Sequence, residues 1–117
     1  MPNRVSQTVE VEFTSEFKRN IRQLSKKYRH IKSDVQPVIN EMVSGETPGK
    51  QIKKLKYRVF KVRIRNSDIQ KGKRSGYRMI YYLRRKTKVI FVTIYSKTEQ
   101  GDISPERIRR IINDFEE

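Results

Sequence analysis

The chain predicts a single α+β domain: a strand and a helical hairpin, three antiparallel strands, and a short C-terminal helix. Three patterns carry that reading. Lys61, Arg63 and Arg65 alternate with Phe60, Val62 and Ile64, and a strand sends alternate side chains to opposite faces. Phe17, Ile21, Leu24, Tyr28 and Ile31 recur at spacings of four, three, four and three, which is one face of a helix. Ile108, Ile111, Ile112 and Phe115 repeat that stripe near the C-terminus.

Residues 1–7 read as a flexible polar arm. Val9, Val11 and Phe13 alternate with Thr8, Glu10 and Glu12, the pattern of a half-buried strand. Thr14 or Ser15 can cap the first helix. Ser33 is expected to cap a second helix, with Val35, Ile39 and Met42 inward and Pro37 near its first turn, where a missing N–H costs little. Gly45 stops that helix, and 46–51, with Pro48 and Gly49, reads as a loop. Strands are expected at 57–65, 77–84 and 89–96, so the sheet has about four strands. Residues 85–88 suit a hairpin turn, and 66–76 form a basic loop. Ser104-Pro105-Glu106 starts the last helix. The helices are expected to cover one sheet face and leave the face with the arginines open.

The 117 residues support one modest core. Hydrophobic residues make up 34% and charged residues 35%, yet the periodic apolar stretches argue for folding rather than disorder. With no cysteine, disulfides and thiolate metal sites are excluded. No apolar leader or membrane-length stretch is present, which points to a cytoplasmic protein with no membrane partner. From Lys53 to Lys88 there are 15 basic residues against one acid, Asp68, a net +14 of the chain's +15. Such crowding opposes compaction and suits an anionic partner. Nucleic acid is favoured because phosphate neutralisation releases counterions; a solvated charged face is the plain alternative.

The run KRSGYRMIYYL (73–83) resembles the Gly-x-Arg-x-x-Tyr strand of the RelE/HigB superfamily of toxin–antitoxin toxins. FKVRI (60–64) resembles that family's basic strand, and IFVTIYSKTEQGDIS (90–104) its last strand and exit. Lys-x-Glu followed by Asp-Ile-Ser is closer to HigB-like members than to RelE proper. The resemblance spans residues 8–112. It implies a RelE-like fold and a ribosome-dependent messenger RNA endonuclease, an mRNA interferase working at the ribosomal A site, beside 16S rRNA. It further implies neutralisation by a cognate antitoxin protein, and no metal or other cofactor.

Metal-free RNA cleavage uses the ribose 2′-hydroxyl as nucleophile. It needs a proton acceptor, a stabiliser of the phosphoryl charge and a donor to the leaving oxygen. His30, the lone histidine, reads as a surface residue. Arg78 matches the family's strand arginine and is expected to present its fork to the scissile phosphate; the alternative is an arginine bound to a carboxylate within the sheet. Lys61 and Arg63 match its two basic strand positions, Lys61 as a base whose pKa crowding would depress and Arg63 as a phosphate ligand. Lys97 can neutralise the leaving oxygen. Glu99 is a possible proton acceptor, or orients Lys97 or Arg78. Thr98 and Ser104 stand where RelE proper has an arginine and a tyrosine, so the general acid is open, with Tyr81, Tyr82 and Tyr95 as possible substitutes. Arg65, Lys71, Lys73 and Arg74 are expected to bind RNA. Tyr82 and Tyr95 can stack on bases, while Tyr81, the motif tyrosine, reads as structural. Asp114, Glu116 and Glu117 are expected to fold near the basic face. Two rival readings are a ParE-like toxin acting on DNA gyrase and a nucleic-acid-binding module without catalysis.

Overall fold

The computed structural model describes residues 9–69, 72 and 75–116. The 1–7 arm, Lys71, Lys73, Arg74 and Glu117 lie outside the described residues. Strand β1 (Glu10–Phe13) leads into helices α1 (Ser15–Lys27) and α2 (Ile31–Val43). Strands β2 (Lys50–Ile52), β3 (Val59–Ile64), β4 (Tyr77–Arg85) and β5 (Lys88–Ser96) follow, and α3 (Pro105–Glu116) ends the chain. The strands form one mixed sheet in the order β1-β5-β4-β3-β2. β1 runs parallel to β5, and the other pairings are antiparallel.

The sheet has five strands rather than about four. The extra one lies at 50–52, at the end of the stretch read as a loop. Gly49 explains how it docks. Its φ is +91°, and a side chain there would collide with the Lys61 carbonyl, so glycine lets the backbone turn against β3. Gly76 has the same close fit: a Cβ would strike the Ile64 carbonyl. The glycine of the Gly-x-Arg run thus sets β4 tight against β3.

Two further expectations change at the helical hairpin. The apolar face 17–31 spans two helices, because α1 stops at Lys27, Tyr28 caps its end and Ile31 opens α2. Ser33 is inside α2 rather than at its cap. His30 occupies the cap without a side-chain cap bond, and the Ser33 hydroxyl donates to the His30 carbonyl at 2.9 Å. Pro37 sits in the helix interior, where it leaves one helical acceptor without its usual donor. Thr14 is the cap of α1, its hydroxyl accepting from the Phe17 N–H at 3.0 Å.

Both faces of the sheet are packed, which corrects the one-sided arrangement. Phe60, Val62 and Ile64 of β3 and Tyr77, Met79, Tyr81 and Leu83 of β4 form the larger core with Phe17, Leu24, Tyr28, Ile31, Val35 and Met42 of the helices. On the opposite face, Ile108, Ile111 and Ile112 of α3 pack on Val59, Ile80 and Val92, near Leu55 and Tyr95. α3 therefore covers one part of the arginine face. Tyr81 is structural, as expected: it is fully buried, stacks on Phe60 and donates to the Pro48 carbonyl at 2.6 Å.

Candidate active site

The part of that face not covered by α3 carries the cations. β3 and β4 pair in register, which sets Arg63 directly opposite Arg78 and Lys61 opposite Ile80. On the other side Arg78 pairs with Tyr95. Opposed residues share a face, so Lys61, Arg63, Arg78 and Tyr95 lie together. Lys97, two residues past Tyr95, continues the row, and its N–H donates to the Gly76 carbonyl at 2.9 Å.

Arg78 is only 3% exposed, and its Nη1 donates to the Tyr77 carbonyl at 3.3 Å. Burial lowers its proton affinity, and the nearby Arg63 charge lowers it further. Like charges set directly opposite on a sheet are unfavourable, and a buried cation more so. Both costs diminish when an anion lies against the pair.

The structure supplies an anion that the strand pattern had not singled out. Asp102 Oδ1 lies 3.0 Å from Lys97 Nζ and 3.6 Å from Lys61 Nζ. One carboxylate oxygen thus joins the two ammonium groups. The hydrogen bond from Lys97, then the Lys61 charge, hold the Asp102 carboxyl below its ordinary 3.8. Lys61 therefore has an anionic neighbour as well as cationic ones. The signal was present in the sequence as the acid of Gly-Asp-Ile-Ser, which had served only to mark the resemblance.

Glu99 does not orient Lys97 or Arg78. It accepts from the Tyr28 hydroxyl at 2.7 Å and pairs with Lys27 at 3.0 Å, on the α1 side. Those contacts, the Tyr28 bond first, keep its carboxyl below the usual 4.5. Tyr82 is likewise displaced from the cations. It shares the face of Arg78, but four residues of strand span about 13 Å, and its ring packs edge-on against Tyr57 at 5.2 Å in the α3 cluster. Tyr95 is in place but only 4% exposed, so it forms a wall rather than a stacking platform. Burial raises its hydroxyl's pKa, and that hydroxyl faces the Ile103 backbone and Asp102 without a well-aligned hydrogen bond. Arg65 is exposed just past β3.

Among the described residues, two further cations of the basic stretch pair away from this row. Arg84 pairs with Glu116 at 3.2 Å and Lys88 with Glu12 at 2.9 Å. The acidic C-terminal turn therefore meets the basic stretch at Arg84. His30 is exposed and bound to Asp68, Nδ1 to Oδ1 at 2.7 Å, tying the 66–69 segment to α2. Among the described residues no group of three or more His, Cys, Asp or Glu is placed to hold a metal ion, and no helix is long and apolar enough to cross a membrane. No protein-family model matches the chain, and no curated protein matches it.

Proposed function

We propose that this protein is a RelE/HigB-like toxin that cleaves messenger RNA on the ribosome and is held in check by a cognate antitoxin. The observation that carries the reading is the opposed pair Arg63 and Arg78, the latter buried in the sheet, flanked by Lys61 and Lys97. Four cations converging on one sheet end fit a phosphodiester in its pentavalent transition state, where negative charge accumulates on the non-bridging oxygens.

In this mechanism the 2′-oxygen attacks phosphorus and the bond to the 5′-oxygen breaks. The products are a 2′,3′-cyclic phosphate and a 5′-hydroxyl. Arg78 and Arg63 bind the phosphoryl oxygens through charge-assisted hydrogen bonds. The 2′-hydroxyl proton passes to the Lys61–Asp102 pair, whose carboxylate takes the part first considered for Glu99. Lys97 donates to the departing 5′-oxygen. A ribosomal partner would add positioning, and an acidic antitoxin segment would compete for the same cations.

Inducible expression of wild type and Arg78→Ala in bacteria, with primer extension on an abundant message, tests this. In-frame cuts and growth arrest, both lost in Arg78→Ala, are the expected result. Arrest with intact messages would move the reading to a ParE-like action on gyrase. A folded protein that binds RNA without arrest or cuts would leave a binding module.

A further inference from the structure

Beside the cation row runs a second surface of different chemistry. β1 ends at Phe13, which among the described residues leaves the adjacent edge of β5 without a strand partner beyond Phe91; α1 takes over there with side chains. The Thr14 hydroxyl donates to the Val92 carbonyl at 2.7 Å, and Asn20 Nδ2 to the Ile94 carbonyl at 3.0 Å. Between this part of α1 and the start of α3 lies a groove of about 470 Å³, within the roughly 300–1,000 Å³ of ligand clefts. Tyr95 and Asp102 line it, so it shares two walls with the cation site.

The groove is held rigid by a side-chain network. Glu16, its side chain 14% exposed, accepts from Arg107 Nη2 at 2.6 Å and from the Thr93 hydroxyl at 2.9 Å. Asn20 Nδ2 also donates to the Thr93 hydroxyl at 3.1 Å. Gln100 brings an exposed amide to the same groove. The lining thus combines amide and hydroxyl groups with the carboxylates of Glu16 and Asp102 and the guanidiniums of Arg19 and Arg107. A phosphate calls for donors only, whereas a base edge offers donors and acceptors together.

We propose that this groove is a base-reading subsite for the nucleotide next to the scissile phosphate. Asn20, through its Oδ1 acceptor, and Gln100, through its whole amide, meet the base edge, and Arg107, fixed by Glu16, bounds the far side. The cation row supplies affinity and the groove supplies sequence preference, the usual division between phosphate and base contacts. The inference rests on the RNA reading above.

The test is binding of the full chain to four short homopolymeric RNAs across a salt series, for wild type, Asn20→Ala, Gln100→Ala and Arg63→Ala. Wild type is expected to favour one base by about tenfold, a typical gain for one good base contact. Gln100→Ala, at an exposed position with no core role, should narrow that preference to about twofold while leaving the salt slope unchanged. Asn20→Ala should do the same, with a thermal melt confirming its fold. Arg63→Ala should weaken all four RNAs alike and flatten the salt slope. Wild type that binds every base equally, or groove variants that keep its preference, would overturn the subsite. Wild type that binds no RNA would overturn the functional reading beneath it.

Discussion

Arg78 and Tyr82 stand on the same face of the same strand, four residues apart, and end in opposite environments. At Tyr82 the face is sealed by Ile108, Ile111 and Ile112 of α3 over Val59, Ile80 and Val92. Around Arg78 the neighbours include Arg63 and Tyr95, with the lysines that share Asp102 on the same face. β4 itself does not make this difference. It follows from where α3 lies: the helix supplies an apolar lid to one part of the face and stops short of the cations. One stretch of sheet therefore serves as core and as candidate site.

The sharpest way to break this contrast is at Arg78. Arg78→Ala should lower RNA cleavage by about 10²–10³-fold, the scale of removing one transition-state donor, and cost RNA affinity far less. Single-turnover cleavage beside a binding isotherm separates the two. Equal losses in both would reduce Arg78 to a phosphate anchor.

At the sealed end the effect should appear in stability instead. Ile112→Ala, at a 1% exposed position, is expected to cost about 2–5 kcal/mol, read from the urea midpoint. Cleavage per folded molecule should stay near wild type. A selective loss of cleavage would show that the two ends are not separable.

Asp102→Asn sharpens the polar end. Freed of their shared carboxylate, Lys61 and Lys97 should bind RNA a few-fold tighter, with a salt slope steeper by up to about 0.7 for each phosphate gained. Cleavage should fall by about 10², the lower range for loss of acid–base catalysis. Affinity and rate moving in the same direction would remove Asp102 from the proton path.

The seam between β3 and β4 comes next. Gly76→Ala puts a methyl against the Ile64 carbonyl and must part the strands where Arg63 meets Arg78. A loss of about 1–3 kcal/mol is expected, measured by thermal or urea unfolding.

The smallest effect should be an acid one. The hydrogen bonds from His30 hold the Asp68 carboxyl below its ordinary 3.8. Such a group stabilises the fold fully above its unfolded value, and that stability is lost as pH falls through the lower folded value. Asp68→Asn should therefore flatten the stability profile below about pH 4 and leave RNA cleavage unchanged at neutral pH. An unaltered acid limb would show that the His30–Asp68 contact contributes nothing to folding.

Much of this fold was legible along the chain. Period-two alternation at 60–64 put Phe60, Val62 and Ile64 in the core, and Ser104-Pro105 opened α3, with the Arg107 N–H donating to the Ser104 hydroxyl at 3.1 Å. The alternation also set Lys61 and Arg63 on one face, which is where they stand. These are local signals, because backbone geometry fixes which side chains share a face. What the chain alone did not determine depends on contacts between distant segments. β2 exists because Gly49 lets residues 50–52 reach β3, and three residues carry too little pattern to announce a strand. α3 had a readable apolar stripe but no sign of which sheet face it would cover. Glu99 and Asp102, three residues apart beyond β5, part ways toward α1 and toward the lysines. An irregular exit has no period from which to read that direction, so only the folded positions of Tyr28, Lys61 and Lys97 decided which carboxylate joined the site.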